Sequence, residues 1–536
     1  MRREWWKNAV IYQVYPRSYG DSDGDGIGDL QGIRQRLDHL QWLGVDAVWL
    51  SPFYPSPMKD FGYDISDYRN VHPLFGSLQD FDDLIADLHA RDMRLLIDYV
   101  PNHSSDQHPW FLESRSGRDH PRREWYVWRD PKPDGSLPNN WLSVFGGPAW
   151  TLDEHTGQFY LHSFLPEQPD LNWRHPEVKA AMFDVVRFWL SRGVDGLRID
   201  TAHYILKDPD LRDNPPATGG VAFHRPMGEY DRQLHLYDKG HPDAHAVYRE
   251  LRGVLDAFDP VRQAVSIGEI HVFDWHEWAT YYGEALDELH MPFNFGLLTV
   301  PWDALAIRQV VNAVEAALPS GAWPNQVLGN HDESRVASRA GPLQTRVAML
   351  LLLTLRGTPT LYQGDELGLE DVPIPAGREQ DPWGLQVPGM SRDPVRAPIP
   401  WQDVPNGGFC PPNVESWLPL PADLAHLSVE AQRRNEGSML HFTRRLLALR
   451  RLTPALREGT YRPLDTPEGT FAYLREFEGE SVLTALNFTG QQRQLALGNL
   501  PTGTVLLSTH GEREAVDLTK FTLRPDEGCV LVLRGG

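Results

Sequence analysis

Gly193-Val194-Asp195-Gly196-Leu197-Arg198-Ile199-Asp200-Thr201 reads as a buried strand that ends in charge. Val194, Leu197 and Ile199 are strand-type apolar residues, and strand side chains alternate with period two. Arg198 and Asp200 therefore share a face, where a guanidinium can hold a carboxylate ionised and oriented. One such pair is an ordinary structural feature. Its weight depends on whether other strands end the same way.

Three others do. Runs finish as Asp98-Tyr99-Val100-Pro101-Asn102-His103, as Ile267-Gly268-Glu269 and as Gly329-Asn330-His331-Asp332. Strand-like runs at 9–16, 45–52, 93–100, 194–200, 264–270, 285–294, 326–332 and 358–364 alternate with amphipathic segments such as 32–43, 78–92, 177–192 and 344–355. That alternation predicts an α/β fold, a (β/α)8 TIM barrel, whose parallel strands bring their C-terminal ends to one face. An open doubly wound sheet is the alternative, but no Gly-rich phosphate loop follows the first strand. Three carboxylates and two histidines from four strands would then converge.

Two long connections interrupt the pattern. Residues 104–173, after the third strand, are rich in Trp, Pro, Asp and Gly and predict an irregular insertion domain. Residues 201–262, after the fourth, form a long loop with a Pro/Gly cluster at 214–220. The barrel domain thus comprises 1–103 and 174–458, and the alternating apolar runs of 459–536 predict a C-terminal antiparallel β-sandwich.

Composition bounds the function. The chain has 536 residues, 41% hydrophobic and 23% charged, as expected of a soluble multidomain protein. A net charge of −22 argues against nucleic acid or an anionic membrane as partner, because both need a basic surface. Two cysteines, Cys410 and Cys529, are too few for a disulfide framework, and no apolar stretch spans a bilayer. The expectation is a cytoplasmic monomer or weak homo-oligomer acting on a small neutral molecule. Converging carboxylates with Arg and His, and no Ser or Cys nucleophile elbow, point to glycosidic chemistry. Phosphoryl transfer lacks its loop, and a metallohydrolase lacks an HExxH-type pair.

The segments 98–103, 196–203, 268–270 and 329–335 resemble, in order, the signature regions of the α-amylase family of glycoside hydrolases. The resemblance implies that Asp200 is the nucleophile, Glu269 the general acid/base and Asp332 the transition-state stabiliser. It implies sugar contacts from Arg198, His103 and His331. Arg198 should keep Asp200 ionised, while Glu269 needs a raised pKa. Residues 60–68 and 168–173 resemble the pocket-closing segments of the α-glucosidases and oligo-1,6-glucosidases, with Asp60 binding sugar hydroxyls and Tyr63 stacking on the ring. Residues 391–401 resemble a further segment, in which Arg396 is the counterpart of a sugar-binding arginine. Thr201, in place of the valine that tends to accompany α-1,6 cleavage, favours α-1,4 bonds.

The acidic loop 21–29 follows a calcium-loop spacing but has Gly32 where an EF-hand has its bidentate Glu. The resemblance implies a structural Ca²⁺ or Mg²⁺ held by Asp21, Asp23, Asp25, Asp29 and the Ile27 carbonyl. The expected activity is a retaining exo-α-glucosidase on short α-1,4 glucosides, with transglucosylation possible. Its alternatives are an oligo-1,6-glucosidase, a sucrose- or trehalose-acting relative, and a non-catalytic amylase-like partner protein.

Overall fold

The computed structural model describes residues 4–217, 227–258, 262–497, 500, 502–511, 513 and 516–533. Part of the cluster at 214–220 and of the long loop 201–262 lies outside them. Eight parallel strands form the central sheet: β1 (Ile11–Val14), β2 (Ala47–Leu50), β3 (Arg94–Tyr99), β4 (Gly196–Ile199), β5 (Val265–Gly268), β6 (Met291–Pro292), β7 (Asn325–Val327) and β8 (Thr358–Tyr362). Their order, β7-β8-β1-β2-β3-β4-β5-β6, is that of a barrel opened between β6 and β7. β6 is only two residues long and contains Pro292, which offers no N–H to a ladder. The side chains of Asn294 and Gln326 span the seam at 3.5 Å.

Alternation divides each strand between two cores. Val48, Leu50, Leu95, Ile97, Leu197 and Ile199 pack outward with the helices. Ala47, Trp49, Leu96, Val265 and Ile267 fill the barrel interior. At Gly196 a Cβ would stand 2.5 Å from Val265 Cγ1, so glycine leaves the interior its space. Helices run at Leu78–His89, closed by a Ser77/Asp80 capping box, at Pro176–Ser191 and at Thr345–Thr354, close to the expected spans. The expected helix at 32–43 is instead two, Leu30–Arg34 and Leu37–Leu43, the first capped by Asp29.

The insertion after β3 is less irregular than expected. It carries a three-stranded antiparallel sheet of Trp128–Arg129, Gln158–Leu161 and Trp150–Asp153, around aromatic residues such as Trp141 and Phe159. Residues from Thr460 onward form a five-stranded and a two-stranded antiparallel sheet, with Leu474, Leu483, Leu495 and Leu523 between them. No described helix is long and apolar enough to cross a membrane.

Candidate active site

The inward-facing register that packs the barrel interior turns to charge at its C-terminal end. Leu96 gives way to Asp98, Gly196 to Arg198 and Asp200, and Ile267 to Glu269. Asp98 and Arg198 are register partners. Arg198, 2% exposed, divides its guanidinium among three carboxylates. Nη1 donates to Asp98 Oδ1 at 2.6 Å and Asp200 Oδ1 at 2.8 Å, and Nη2 donates to Glu269 Oε2 at 2.6 Å. Beneath them the Trp49 ring lies 5.0 Å from the guanidinium, and its indole N–H donates to Asp98 Oδ2 at 2.9 Å.

This sharing corrects the expected pKa order. Burial raises the Asp200 carboxyl, the charge of Glu269 adds to that, and Arg198 opposes both. Burial also pushes Glu269 up, but Arg198, His271 and the Thr201 N–H outweigh it and hold Glu269 below the usual range. Glu269 has a guanidinium nitrogen to itself, whereas Asp200 shares one with Asp98. Asp98, wholly buried, rises to about 6.

Thr201 connects the two carboxylates. Its backbone is left-handed (φ 39°, ψ 45°), a conformation that costs a β-branched residue on the order of 1–3 kcal/mol. That turn aims its N–H at Glu269 Oε2 (2.9 Å), while Oγ1 donates to Asp200 Oδ2 (3.2 Å).

Asp332, after β7, completes the ring. Its Oδ1 accepts from Arg396 Nη2 at 3.0 Å and Arg392 Nη1 at 3.4 Å, and its Oδ2 is 3.2 Å from His331 Nε2. Against the effect of burial, His331, Arg392 and Arg396 hold it below the usual carboxylate range. Burial pushes His331 down to about 3 and His103 to about 4, so both rings are neutral near pH 7. Gln13 donates to His331 Nδ1 at 2.7 Å, which leaves the proton on Nε2, 2.7 Å from the Tyr63 hydroxyl. The Tyr63 and His331 rings are parallel at 5.5 Å.

A cavity of about 280 Å³ collects Asp60, Tyr63, His103, Asp200, Thr201, Glu269, His331 and Asp332. Arg198 braces the carboxylates from below. One assignment changes. Arg396 is fully buried, donating to the His331 carbonyl and to Asp332, and it is Arg392 that stands in the wall. Arg392 Nη2 donates to Asp60 Oδ1 at 2.7 Å and to Asp381 Oδ1 at 2.6 Å, so the guanidinium in the wall is held between two carboxylates. Gln168 Nε2 bonds Asp60 Oδ2 at 3.1 Å and His103 Nε2 at 3.0 Å. The sequence reading missed Arg392, Gln168, Asp98 and His271 as site residues. The first three lie in segments already singled out, but motif position does not say which side chain faces inward. Much of the rest of the wall is aromatic, with Phe145 and Phe164 from the insertion after β3, Tyr204 from the connection after β4, Phe295 from the one after β6 and Trp383 from the one after β8.

The acidic loop lies elsewhere, between β1 and Leu30–Arg34. Asp21, Asp23 and Asp29 offer oxygens within 4.8 Å of one another, a hard donor set that fits Ca²⁺ or Mg²⁺. Asp25 stands outside that group, with Oδ1 accepting the Ile27 N–H at 2.8 Å. Asp29 also accepts from the Ser22 N–H and hydroxyl and from the Gly32 N–H.

Comparison with known proteins agrees with this geometry. Residues 13–459 match the family model described as alpha amylase, catalytic domain. A probable alpha-glucosidase of Rhizobium meliloti (strain 1021) is 42% identical over 503 residues, 91% of this chain and 90% of that one. An oligo-1,6-glucosidase of Parageobacillus thermoglucosidasius is 35% identical over 576 residues, covering 100% of both chains. The crystal structure of an alpha-glucosyl transfer enzyme, XgtA, superposes with a TM-score of 0.94 at 42% identity over 99% of each chain. With its barrel, its ordered strand ends and these relatives, the chain belongs to the α-amylase family of glycoside hydrolases, among the α-glucosidases and oligo-1,6-glucosidases.

Proposed function

We propose that the protein is a retaining exo-α-glucosidase that releases glucose from the non-reducing end of maltose and short malto-oligosaccharides, with transfer to other hydroxyls as a side reaction. The observation that carries this reading is the bridging of Asp200 and Glu269 by the two nitrogens of Arg198, beside a cavity whose wall carries the Asp60–Arg392 ion pair. A retaining mechanism needs the two carboxyls roughly 5–5.5 Å apart, and a shared guanidinium favours such closeness.

On this reading Asp200 attacks the anomeric carbon while Glu269 protonates the departing oxygen, giving a glucosyl ester on Asp200. Water then attacks the same carbon and yields its proton to Glu269, so two inversions restore the α configuration. Asp332, kept ionised by its cationic neighbours, faces the oxocarbenium-like charge of both transition states. Asp60, His103 and Arg392 suit the hydroxyls of a terminal glucose, and Tyr63 suits its ring face. Thr201 supports α-1,4 over α-1,6 preference. The relative named oligo-1,6-glucosidase supports the α-1,6 alternative.

A structural Ca²⁺ or Mg²⁺ belongs to the same proposal. Asp21, Asp23 and Asp29 would hold it, with the Ile27 carbonyl, and it would stiffen the turn after β1 rather than enter the chemistry. So does a cytoplasmic enzyme, in keeping with two free, buried cysteines.

The test is a panel of maltose, isomaltose, trehalose, sucrose and starch, with the anomer of released glucose followed early by NMR. Maltose should be preferred and α-glucose should appear first. Early β-glucose would overturn the mechanism, and starch as best substrate would overturn the closed pocket.

A further inference from the structure

The protein's own contacts leave Glu269 ionised, yet an acid must carry a proton when the glycosidic oxygen arrives. The two oxygens of Glu269 are not alike. Oε2 is engaged by Arg198 and the Thr201 N–H, at 2.6 and 2.9 Å. Oε1 has one side-chain partner, His271 Nε2 at 2.8 Å. Oε1 is thus the oxygen left to meet a leaving group. The imidazole that faces it is fixed in orientation, with its ring flat on Phe295, centroids 4.3 Å apart and planes within 3°. Its side chain is 40% exposed and lines the cavity, so protons reach it from solvent. The groups facing it are Glu269 from the end of β5, His203 at 6.0 Å from the turn Ala202–Tyr204, and Lys239 beyond His203. Among the described residues Glu269 is the one carboxylate within 4.0 Å of its ring nitrogens.

We propose that His271 is a positioning residue that stores the proton of the acid/base, so that the proton donor is a Glu269–His271 pair and not an isolated carboxylic acid. The proposal rests on the reading of Glu269 as acid/base. With substrate excluding water from the pair, the Nε2 proton moves to Glu269 Oε1, leaving neutral imidazole and a carboxylic acid. That acid gives the proton to the glycosidic oxygen as its bond to the anomeric carbon breaks and the Asp200 ester forms. In the second half, the attacking water or acceptor hydroxyl yields a proton to Glu269, which passes it back to His271. Protons balance over the cycle, and no external reactant beyond the glycoside and the acceptor is consumed. On this proposal the basic limb of activity reports loss of the proton that Glu269 and His271 share.

The test compares wild type, His271→Gln, His271→Phe and Glu269→Gln on maltose and on 4-nitrophenyl α-glucoside across pH. Gln keeps a hydrogen-bond donor without a titrating proton, and Phe keeps the stack on Phe295. Both His271 variants should move the basic limb of kcat/KM for maltose to lower pH by about one unit or more, since a carboxylic acid alone gives up its proton at lower pH than an imidazolium does. Both should lower kcat/KM for maltose by about tenfold or more, yet change it less than about twofold for the nitrophenyl glucoside, whose leaving group departs unprotonated. A Glu269→Gln enzyme that still turns over maltose would overturn the acid/base reading and the proposal with it. If Glu269→Gln is inactive but His271→Gln and His271→Phe leave the limb in place, or slow both substrates equally, the His271 proposal alone falls.

Discussion

Two sets of buried arginines make a useful contrast. At the barrel mouth, the hydrogen bonds of Arg198 go to carboxylates, and although burial works against its charge, Asp98 and Glu269 keep it more firmly protonated than a free arginine. Where the barrel meets the C-terminal domain, Arg450 and Arg475 are equally buried but bind backbone carbonyls. Arg450 donates to Leu353 and Gly357 at 2.8 and 2.6 Å, and Arg475 to Thr354, Gly459 and Thr460 at 2.7 to 3.1 Å. Together they close the C-terminal end of helix Thr345–Thr354, whose last carbonyls have no partner within the helix. Among the described residues no carboxylate pairs with either, and burial, only partly opposed by Asp46 and Glu315 nearby, pushes them down to about 10 and about 9. The partner decides the role. Facing carboxylates, a guanidinium organises charge for chemistry; facing carbonyls, it caps a helix end and, at Arg475, ties that helix to the C-terminal sheet.

Exchanging each arginine for methionine should separate these roles. Arg198→Met leaves Asp98, Asp200 and Glu269 buried together without their shared cation, so two of them take up protons and the nucleophile is lost. Maltose turnover should fall by about 10³-fold or more. Retention of even a tenth of wild-type kcat would show that Arg198 does not organise the site. Arg475→Met touches no cavity residue but strands three carbonyls, at about 3 kcal/mol or more in total. Its urea midpoint should drop sharply while kcat per folded molecule stays at the wild-type value. Equal loss of activity and stability in both variants would erase the contrast.

Arg335 falls between the two sets. It is 1% exposed and donates to the carbonyls of Gln363 and Val395, both at 2.9 Å, which leaves Asp365 3.9 Å from its nearest nitrogen. Burial, only partly offset by Arg335, raises Asp365 to about 7. The folded state thus holds this proton more tightly than the unfolded state. The group's favourable contribution is complete below about pH 4 and disappears as pH rises through 7. Asp365→Asn should therefore gain stability relative to wild type above pH 7, by about 1–2 kcal/mol, with the advantage shrinking toward pH 5. Denaturant titrations at pH 5, 6, 7 and 8 measure it, and a pH-independent difference would mean that Arg335 does neutralise Asp365.

The contrast also marks how far sequence reading reaches. Arg198, Asp200 and Glu269 were legible because strand alternation and barrel geometry are local rules that repeat from strand to strand. Arg450 and Arg475 carry no such mark, since a buried arginine bonded to carbonyls looks like any charged residue on a helix or strand. Arg392 and Arg396 both occur in a segment recognised as part of the pocket, and the single 3₁₀ turn between them, Asp393–Val395, decides which one faces the cavity. The Glu269–His271 pair was missed for a related reason. Its partner Phe295 arrives from the connection after β6, 24 residues further on. The pKa order was misjudged because the pattern pairs Arg198 with its sequence neighbour Asp200, whereas the adjacent strands β3 and β5 bring Asp98 and Glu269 to share it.

Thr201 tests the mouth of the barrel most finely. Its hydroxyl donates to Asp200 Oδ2, the oxygen that Arg198 does not touch, and its strained backbone sets the N–H on Glu269. Thr201→Val keeps the β-branch, the volume and the N–H but removes the hydroxyl. Asp200 then loses one of two donors, and the wall beside the cleaved bond becomes apolar. A pocket change of this size is worth about 1–2 kcal/mol between competing substrates. The ratio of kcat/KM for isomaltose to that for maltose should therefore rise by about tenfold, while both values fall because the nucleophile is less well held. An unchanged ratio with lower absolute rates would leave Thr201 as a support for Asp200 and remove it as a determinant of linkage.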